Sequence, residues 1–275
     1  MEGLGSMNIS YIYFLYFVVY SFLGWICETT YCFIIDKQYV NRGFLNGPFC
    51  PIYGVGALIV IIMLTPVSDN IVLLFFSGMI FTSILEYITG YLLEVIFNLK
   101  WWDYSNYKFN IQGRVCLLNS ILFGVLSVIT IEFINPIITK LINNMPLSEG
   151  MWICGILIIL FLLDTIITVY KVLQLGGKLQ EMHVIYQELK EKSEIYKDIV
   201  QQNIDKLDEL IGHENEKIIH IKEQVNRLKI KLENTILKNK SASKRIINAF
   251  PNIKSLKYDA SLNRLKEEIK KIKKK

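Results

Sequence analysis

Five closely spaced apolar stretches within residues 9–175, with carboxylates and arginines set into and between them, constrain this 275-residue chain more than any other feature. An α-helix rises about 1.5 Å per residue, so about 20 apolar residues cross the hydrocarbon core of a bilayer. The stretches 9–35, 51–66, 70–97, 115–142 and 151–174 reach or approach that length. The second is the shortest, and Pro51 and Pro66 bound it, since proline is tolerated at a helix start and cannot continue a helix. A charged side chain at the centre of a spanning helix costs about 2.5–3.5 kcal/mol on insertion scales. Glu28 and Glu86, deep in the first and third stretches, therefore need partners or a function.

The overall composition, 52% apolar and 20% charged, averages two regimes. Residues 9–175 are mostly Ile, Leu, Val, Phe and Tyr; residues 176–275 are rich in Lys, Glu, Ile and Asn. The expected fold is all-α: a polytopic membrane bundle of about five transmembrane helices followed by a cytosolic coiled-coil helical tail. The expected segments are a short extracytoplasmic N-terminus (1–8), a transmembrane domain (9–175), coiled-coil helices (176–240) and a basic C-terminal tail (241–275). The first apolar stretch is too long for a signal-peptide core and has no basic residues ahead of it, so it reads as a retained span. Met7 offers a second candidate start, which would make Met1 to Ser6 an extension. Cys27, Cys32, Cys50, Cys116 and Cys154 form no CxxC or Cys/His cluster and point to neither a disulfide framework nor a metal site; no cofactor is expected.

Lys and Arg mark the cytoplasmic side. Lys37 and Arg42 follow the first stretch, Lys100, Lys108 and Arg114 follow the third, and the tail is full of Lys. The other side carries only Asp69 between the second and third stretches and Lys140 at the edge of the last short loop. The expectation is a multi-pass cell-membrane protein with its N-terminus outside and its C-terminus in the cytoplasm. Both motif-rich connections, 36–50 and 98–114, then share one face.

On that face, Arg42 and Asn46 stand among Gly43, Gly47 and Pro48. Irregular backbone at membrane depth is tolerated only where protein or a wet cavity satisfies its amides. The run Pro48-Phe-Cys-Pro51-Ile-Tyr-Gly54 thus reads as a re-entrant or broken helix entry, the alternative being a plain turn with an interfacial arginine. Arg42 and Arg114 are the natural partners of Glu28 and Glu86, either as a structural ion pair or as the lining of a polar cavity that binds a head group or relays a proton. Glu94 reads as interfacial, Glu132 and Asp164 lie within spans, and Asp164 is close enough to the cytoplasmic end to join the cavity. Trp101, Trp102 and Tyr104 suit an aromatic belt, which does not require Asp103, Asn110 or Gly113-Arg114 beside them. A Gly-Arg pair at a helix entry can offer amides and a guanidinium to an anion. The candidate cavity residues are therefore Glu28, Arg42, Asn46, Glu86, Asp103, Asn110 and Arg114.

The runs Phe22-Leu-Gly-Trp25-Ile-Cys-Glu28, Arg42-Gly-Phe-Leu-Asn-Gly-Pro48, Pro51-Ile-Tyr-Gly54, Glu86-Tyr-Ile-Thr-Gly90, Trp102-Asp-Tyr-Ser105 and Asn110-Ile-Gln-Gly-Arg114, in this order, resemble the type IV ABC-transporter membrane family, also called CmpB-like. The likeness covers about 20–170, and the segment Arg245 to Lys257 resembles the basic tail of such proteins. The resemblance implies a polytopic, permease-like subunit working with a separate ATPase. The chain has no GxxxxGK[ST] phosphate loop, so hydrolysis would come from another polypeptide.

In the tail, Leu179, Met182, Tyr186, Leu189, Tyr196 and Val200 recur at helical spacing, and Ile218, Ile221, Val225, Leu228 and Leu232 resume the rhythm after a break at Gly212-His213. Two helices that fold back as a hairpin or pair with a second copy fit this pattern, as does one long amphipathic helix on the membrane surface. Asn203 is compatible with register selection. The lysines of 240–275 suit attraction to anionic membrane lipids, and nothing supports nucleic-acid binding. His183, His213 and His220 read as solvated helix residues. Three functions remain open: a transport subunit, a membrane-embedded enzyme acting on a lipid-linked or anionic substrate, and a scaffold that recruits partners through its coiled coil. No catalytic signature favours the enzyme.

Overall fold

A computed structural model describes residues 2–37, 39–205 and 214–273. The described chain is almost wholly helical and divides into two compact units, one of residues 1–172 with 246–254 and one of 173–245 with 255–275. The first unit holds α1 (Glu2–Asp36), α2 (Pro51–Leu64), α3 (Ile71–Phe97), α4 (Leu117–Ile129) and α5 (Asn135–Asn143), together with the first part of α6 (Leu147–Asp205).

Four helical stretches are long and apolar enough to cross a membrane: Ser10–Ile34, Ile71–Phe97, Leu117–Asn143 and the first part of Leu147–Gln201. Large apolar side chains cover their outer faces, including Ile80, Ile84 and Ile88 on α3 and Ile158, Ile159 and Leu163 on α6, as expected where lipid is the solvent. The stretch expected as the second span differs. α2 has 14 residues, about 21 Å of helix, ends in a 3-10 turn at Thr65–Val67, and is too short to cross alone. The pass is completed by irregular chain: residues 39–50 fold back beside α1, so that the Cys50 amide donates to the Ser21 carbonyl at 2.9 Å and α2 begins beside the middle of α1.

Contacts between elements show which ends coincide. Tyr16 bonds Thr139 at 2.6 Å, Tyr20 donates to Asn135, and the Cys154 thiol meets the Tyr11 carbonyl, so the start of α1, the end of α5 and the start of α6 lie at one end. At the other end, Asn46 meets Asp164 and Thr168 of α6, and Phe44 packs on Phe97 and Trp101. Five passes therefore join the two ends, four by long helices and one by a segment that is half loop and half helix.

Small residues let these helices approach. Gly78 of α3 faces Ser127 of α4, and Gly24 of α1 lies under the Tyr53 ring. Gly54 is tighter still: a side chain there would overlap Ser21 Oγ and the Phe17 carbonyl. In lipid, where apolar surfaces gain nothing from leaving water, such close backbone packing is a main source of helix association. The fourth pass carries a π-helical turn at Thr130–Ile134 directly before Pro136, which has no amide to donate and so displaces the α-helical ladder.

The second unit buries the tail's apolar stripe. Leu175, Leu179, Met182 and Ile185 of α6, Val225, Leu228, Leu232 and Ile236 of α7 (Glu214–Ala249), and Leu262, Leu265 and Ile269 of α8 (Asp259–Lys273) are all buried. Glu181 lines a shallow surface pocket with Arg227, Ile230 and Asn234, which sets α6 against α7, while Arg264 stacks on Tyr186 and His183 contacts Tyr258, which sets α8 against α6. The break expected at Gly212-His213, and the side chain of Asn203, lie outside the described residues.

Replacing Gly54 by leucine should force α2 away from α1 and destabilise the first unit by about 1–3 kcal/mol, as overpacking does. Thermal unfolding of the detergent-solubilised protein would show this as a lowered midpoint, with insertion into the membrane preserved.

Candidate functional site

The irregular segment 39–50 sets up the site because its amides must find acceptors at membrane depth. Asp164 of α6 supplies several of them. Its Oδ1 accepts from the Asn46 amide at 3.0 Å and from Asn46 Nδ2 at 2.7 Å, and its Oδ2 accepts from the Gly47 amide at 2.7 Å. Asn46 Nδ2 also reaches Thr168 Oγ1, and Lys171 donates to Asn46 Oδ1. Asn41 closes the turn: its Oδ1 accepts from the Gly43 amide and from Trp25 Nε1, and its Nδ2 donates to the Asn46 carbonyl. Asn46 is therefore a clamp between loop and α6, and Asp164 is the group that holds it.

Beneath this turn lies a polar layer built from four helices and two connections. Tyr53, one turn into α2, donates to Glu28 Oε1 of α1 at 2.7 Å, and Arg42 Nε stands 3.8 Å from Glu28 Oε2. Glu86, midway along α3, is 6% exposed; Tyr104 from the loop 98–116 donates to its Oε1 at 3.1 Å, and Asn119 of α4 faces the same carboxylate. Glu86 Oε2 has no hydrogen-bond partner among the described residues. Burial first, and the Glu86 charge second, push the Tyr104 phenol well above its ordinary range, so it is held protonated as a donor.

Of the partners expected for buried Glu86 and half-buried Glu28, Arg42 serves Glu28 and Arg114 serves neither. Arg114 pairs with Glu94 at 2.5 Å, also donates to Tyr87 and Gln112, and lies over the rings of Tyr87 and Tyr91. Glu94 is thus a buried ion-pair partner, 9% exposed, and not an interfacial residue. Helical spacing explains the choice: Glu94 is two turns nearer than Glu86 to the end of α3 where Arg114 enters α4.

The loop 98–116 is ordered by its own polar groups. A two-stranded ladder pairs Asn110 with Cys116 and Ile111 with Val115. Asn110 takes the Gly113 amide on Oδ1 and donates to the Ser105 and Tyr107 carbonyls, so it shapes the turn. Gly113, at φ +69°, packs so close to Asp103, Ser105 and Lys100 that a side chain would displace them. Asp103 pairs with Lys100 at 2.9 Å and with Lys254 at 2.6 Å. Glu28, Arg42 and Glu86 therefore share the polar layer, Asn46 and Asp103 brace its surroundings, and Asn110 and Arg114 order the adjoining loop.

Lys254 belongs to a docked segment that the sequence does not reveal. Residues 246–254 form part of the first unit, with Ala249 and Ile253 fully buried. Arg42 Nη1 donates to the Ala249 carbonyl at 2.6 Å, and Phe250 packs edge-on against Trp101 at 4.8 Å. Trp101, 3% exposed, is the centre of an aromatic group with Phe44, Phe97 and Phe250 and not a lipid-facing belt residue. Tyr53 and Tyr104 were readable only as parts of motifs, and Asn119 carries no local signal.

Leucine at Asp164 should leave the Asn46 and Gly47 amides without an acceptor, at about 1–3 kcal/mol for each orphaned group. A lowered unfolding midpoint and faster hydrogen exchange confined to 41–50 would register it, with Asp164→Asn less affected because one acceptor oxygen remains. Asp103 yields a pH prediction. Burial opposes its charge, but the bonds from Lys254, Ser105 and Lys100 outweigh that and hold its carboxyl well below the usual range. Its contribution is then complete above the unfolded aspartate value of about 3.9 and fades only as pH falls below it. Exchange protection of 246–254 should accordingly persist at pH 5 and be reduced by Lys254→Ala at neutral pH.

The sequence pattern that defines the family described as "Putative ABC-transporter type IV" matches residues 15–169, which contain every element of the polar layer. No curated protein and no solved structure matches the chain.

Proposed function

The chain belongs to the type IV ABC-transporter family, and from that premise we propose that it is the permease-like membrane subunit of an ABC-type transporter, with a polar pocket opening towards the cytoplasm. The observation that carries this reading is the half-length helix α2, entered through irregular backbone, whose first turn brings Tyr53 to Glu28 within the polar layer. Discontinuous helices at membrane depth are a recurrent way of building transport sites, because unwound backbone and helix ends provide polar groups where side-chain charge is costly. The lysine and arginine distribution supports an orientation with this end of the bundle, and both motif-rich connections, in the cytoplasm and the N-terminus outside.

Without a phosphate-binding loop, the subunit depends on an ATPase from a separate polypeptide. The Lys-rich α8 adds attraction to an anionic leaflet, about 1 kcal/mol for each charge near its surface. An enzyme acting on phosphorylated lipid head groups is less well supported, because Arg114 is committed to Glu94 and Arg42 to Glu28 and Ala249.

Tagged protein drawn from the membranes of its own cells should bring with it ATP hydrolysis in proportion to the amount captured, sensitive to vanadate and absent from the chain purified after heterologous expression alone. Hydrolysis no greater than in an untagged control would overturn the permease reading.

A further inference from the structure

The charge balance of the polar layer bears on what it accommodates. Arg114 is neutralised by Glu94, and Asp103 by Lys100 and Lys254. Asp164 is surrounded by amides and the Thr168 hydroxyl, with Lys171 one contact away on Asn46. Two carboxylates remain deeper in the bundle, Glu28 and Glu86, against the single guanidinium of Arg42, which lies on the Glu28 side. Glu86 has only neutral donors, the Tyr104 hydroxyl on Oε1 and the Asn119 side chain, and its Oε2 has no hydrogen-bond partner among the described residues.

Among the described residues, the groups around Glu86 supply no compensating cation. From the loop 98–116 come Tyr104 and, beside it, Cys116; from α4 comes neutral Asn119; from α1 comes Glu28, itself an anion; and from α2 comes Tyr53, which donates to Glu28. Arg114 is two turns away along α3 and paired. A carboxylate in a low-dielectric interior with neither a counter-charge nor a full set of donors is costly to keep ionised, and it lowers that cost by taking up positive charge.

We infer that Glu86 is the centre of a site for one positive charge, a proton or a small alkali cation, with the Tyr104 hydroxyl and the Asn119 side-chain amide as its neutral walls. This rests on reading the polar layer as the transport path and deepens it: the layer selects a cation as cargo or as coupling ion, not the anion that two arginines in the sequence suggest. The phenol of Tyr104 hydrogen-bonds the carboxylate when the site is empty, and its oxygen is available to a bound cation once the proton bond turns away.

The purified full chain in nanodiscs provides the test, with thermal unfolding followed along two series: pH 6 to 9 in choline chloride, and choline, sodium or potassium chloride at pH 9. A proton site should raise the wild-type midpoint on acidification by about 3–5 °C per pH unit relative to Glu86→Gln. An alkali-cation site should raise it by about 5–10 °C when sodium or potassium reaches a hundred times its dissociation constant, again only with Glu86 present. Identical behaviour of wild type and Glu86→Gln in both series would overturn the inference. Should that variant fail to fold, wild-type protein treated with dicyclohexylcarbodiimide, which reacts with protonated buried carboxyls, replaces it. Label located on Glu86 by peptide mass, and suppressed by alkaline pH or by one of the two alkali cations, supports the site; no label on Glu86 in any condition refutes it. Because these readouts need no ATPase, they separate failure of the cation site from failure of the permease reading.

Discussion

Backbone amides that enter a bilayer without helical partners must be satisfied by something rigid, and in this protein that requirement organises one whole end of the membrane unit. The segment 39–50 folds back beside α1, and donors along it are met by the Ser21 carbonyl, the Asn41 side chain and the Asp164 carboxylate. An aspartate within an otherwise apolar helix is costly in isolation, but here it replaces the acceptors that a helix would have supplied. Fixing Asn46 and Gly47 in turn fixes where Arg42 stands and where α2 begins, and α2 brings Tyr53 to Glu28. The polar layer depends on that chain of contacts.

The same economy of polar groups explains why each ionisable residue sits where it does. Arg114 takes the nearer carboxylate, Glu94, and its remaining donors go to Tyr87 and Gln112. Asp103 is held between lysines from the loop and from 246–254. Arg42 divides its donors between Glu28 and the Ala249 carbonyl, so the docked segment and the polar layer share one guanidinium. Through that shared group, a change at 246–254 reaches Glu28 without any intervening conformational element.

Several features were legible from residues alone because they follow from local rules. The long apolar stretches become helices, Pro51 opens α2, and of the tail's three-and-four spacing Leu179, Met182, Val225, Leu228 and Leu232 are buried, whereas Tyr186, Leu189, Tyr196, Val200 and Ile221 are only half-buried. The pairing of buried charges was less legible. Glu94 looked interfacial because it is near a helix end, yet its partner arrives from a loop 20 residues later that folds back along α3. Trp101 looked like a belt residue because aromatic pairs beside spans usually are, yet Phe250 covers it from the far end of the chain. The basic segment around Lys254 read as lipid-seeking because nothing in its spacing announces Asp103.

Hydropathy and proline placement thus determine, from sequence alone, an all-α membrane protein whose polar motifs are concentrated in two connections between apolar stretches. Those properties depend on each residue's neighbours within a few turns. Tertiary structure alone decided that the second pass is half loop, that Asp164 holds it, that Arg114 belongs to Glu94, and that Glu86 is left uncompensated. The reason is that these are competitions among partners distant along the chain, and distance in space, not spacing in sequence, determines which carboxylate a guanidinium or an amide reaches first.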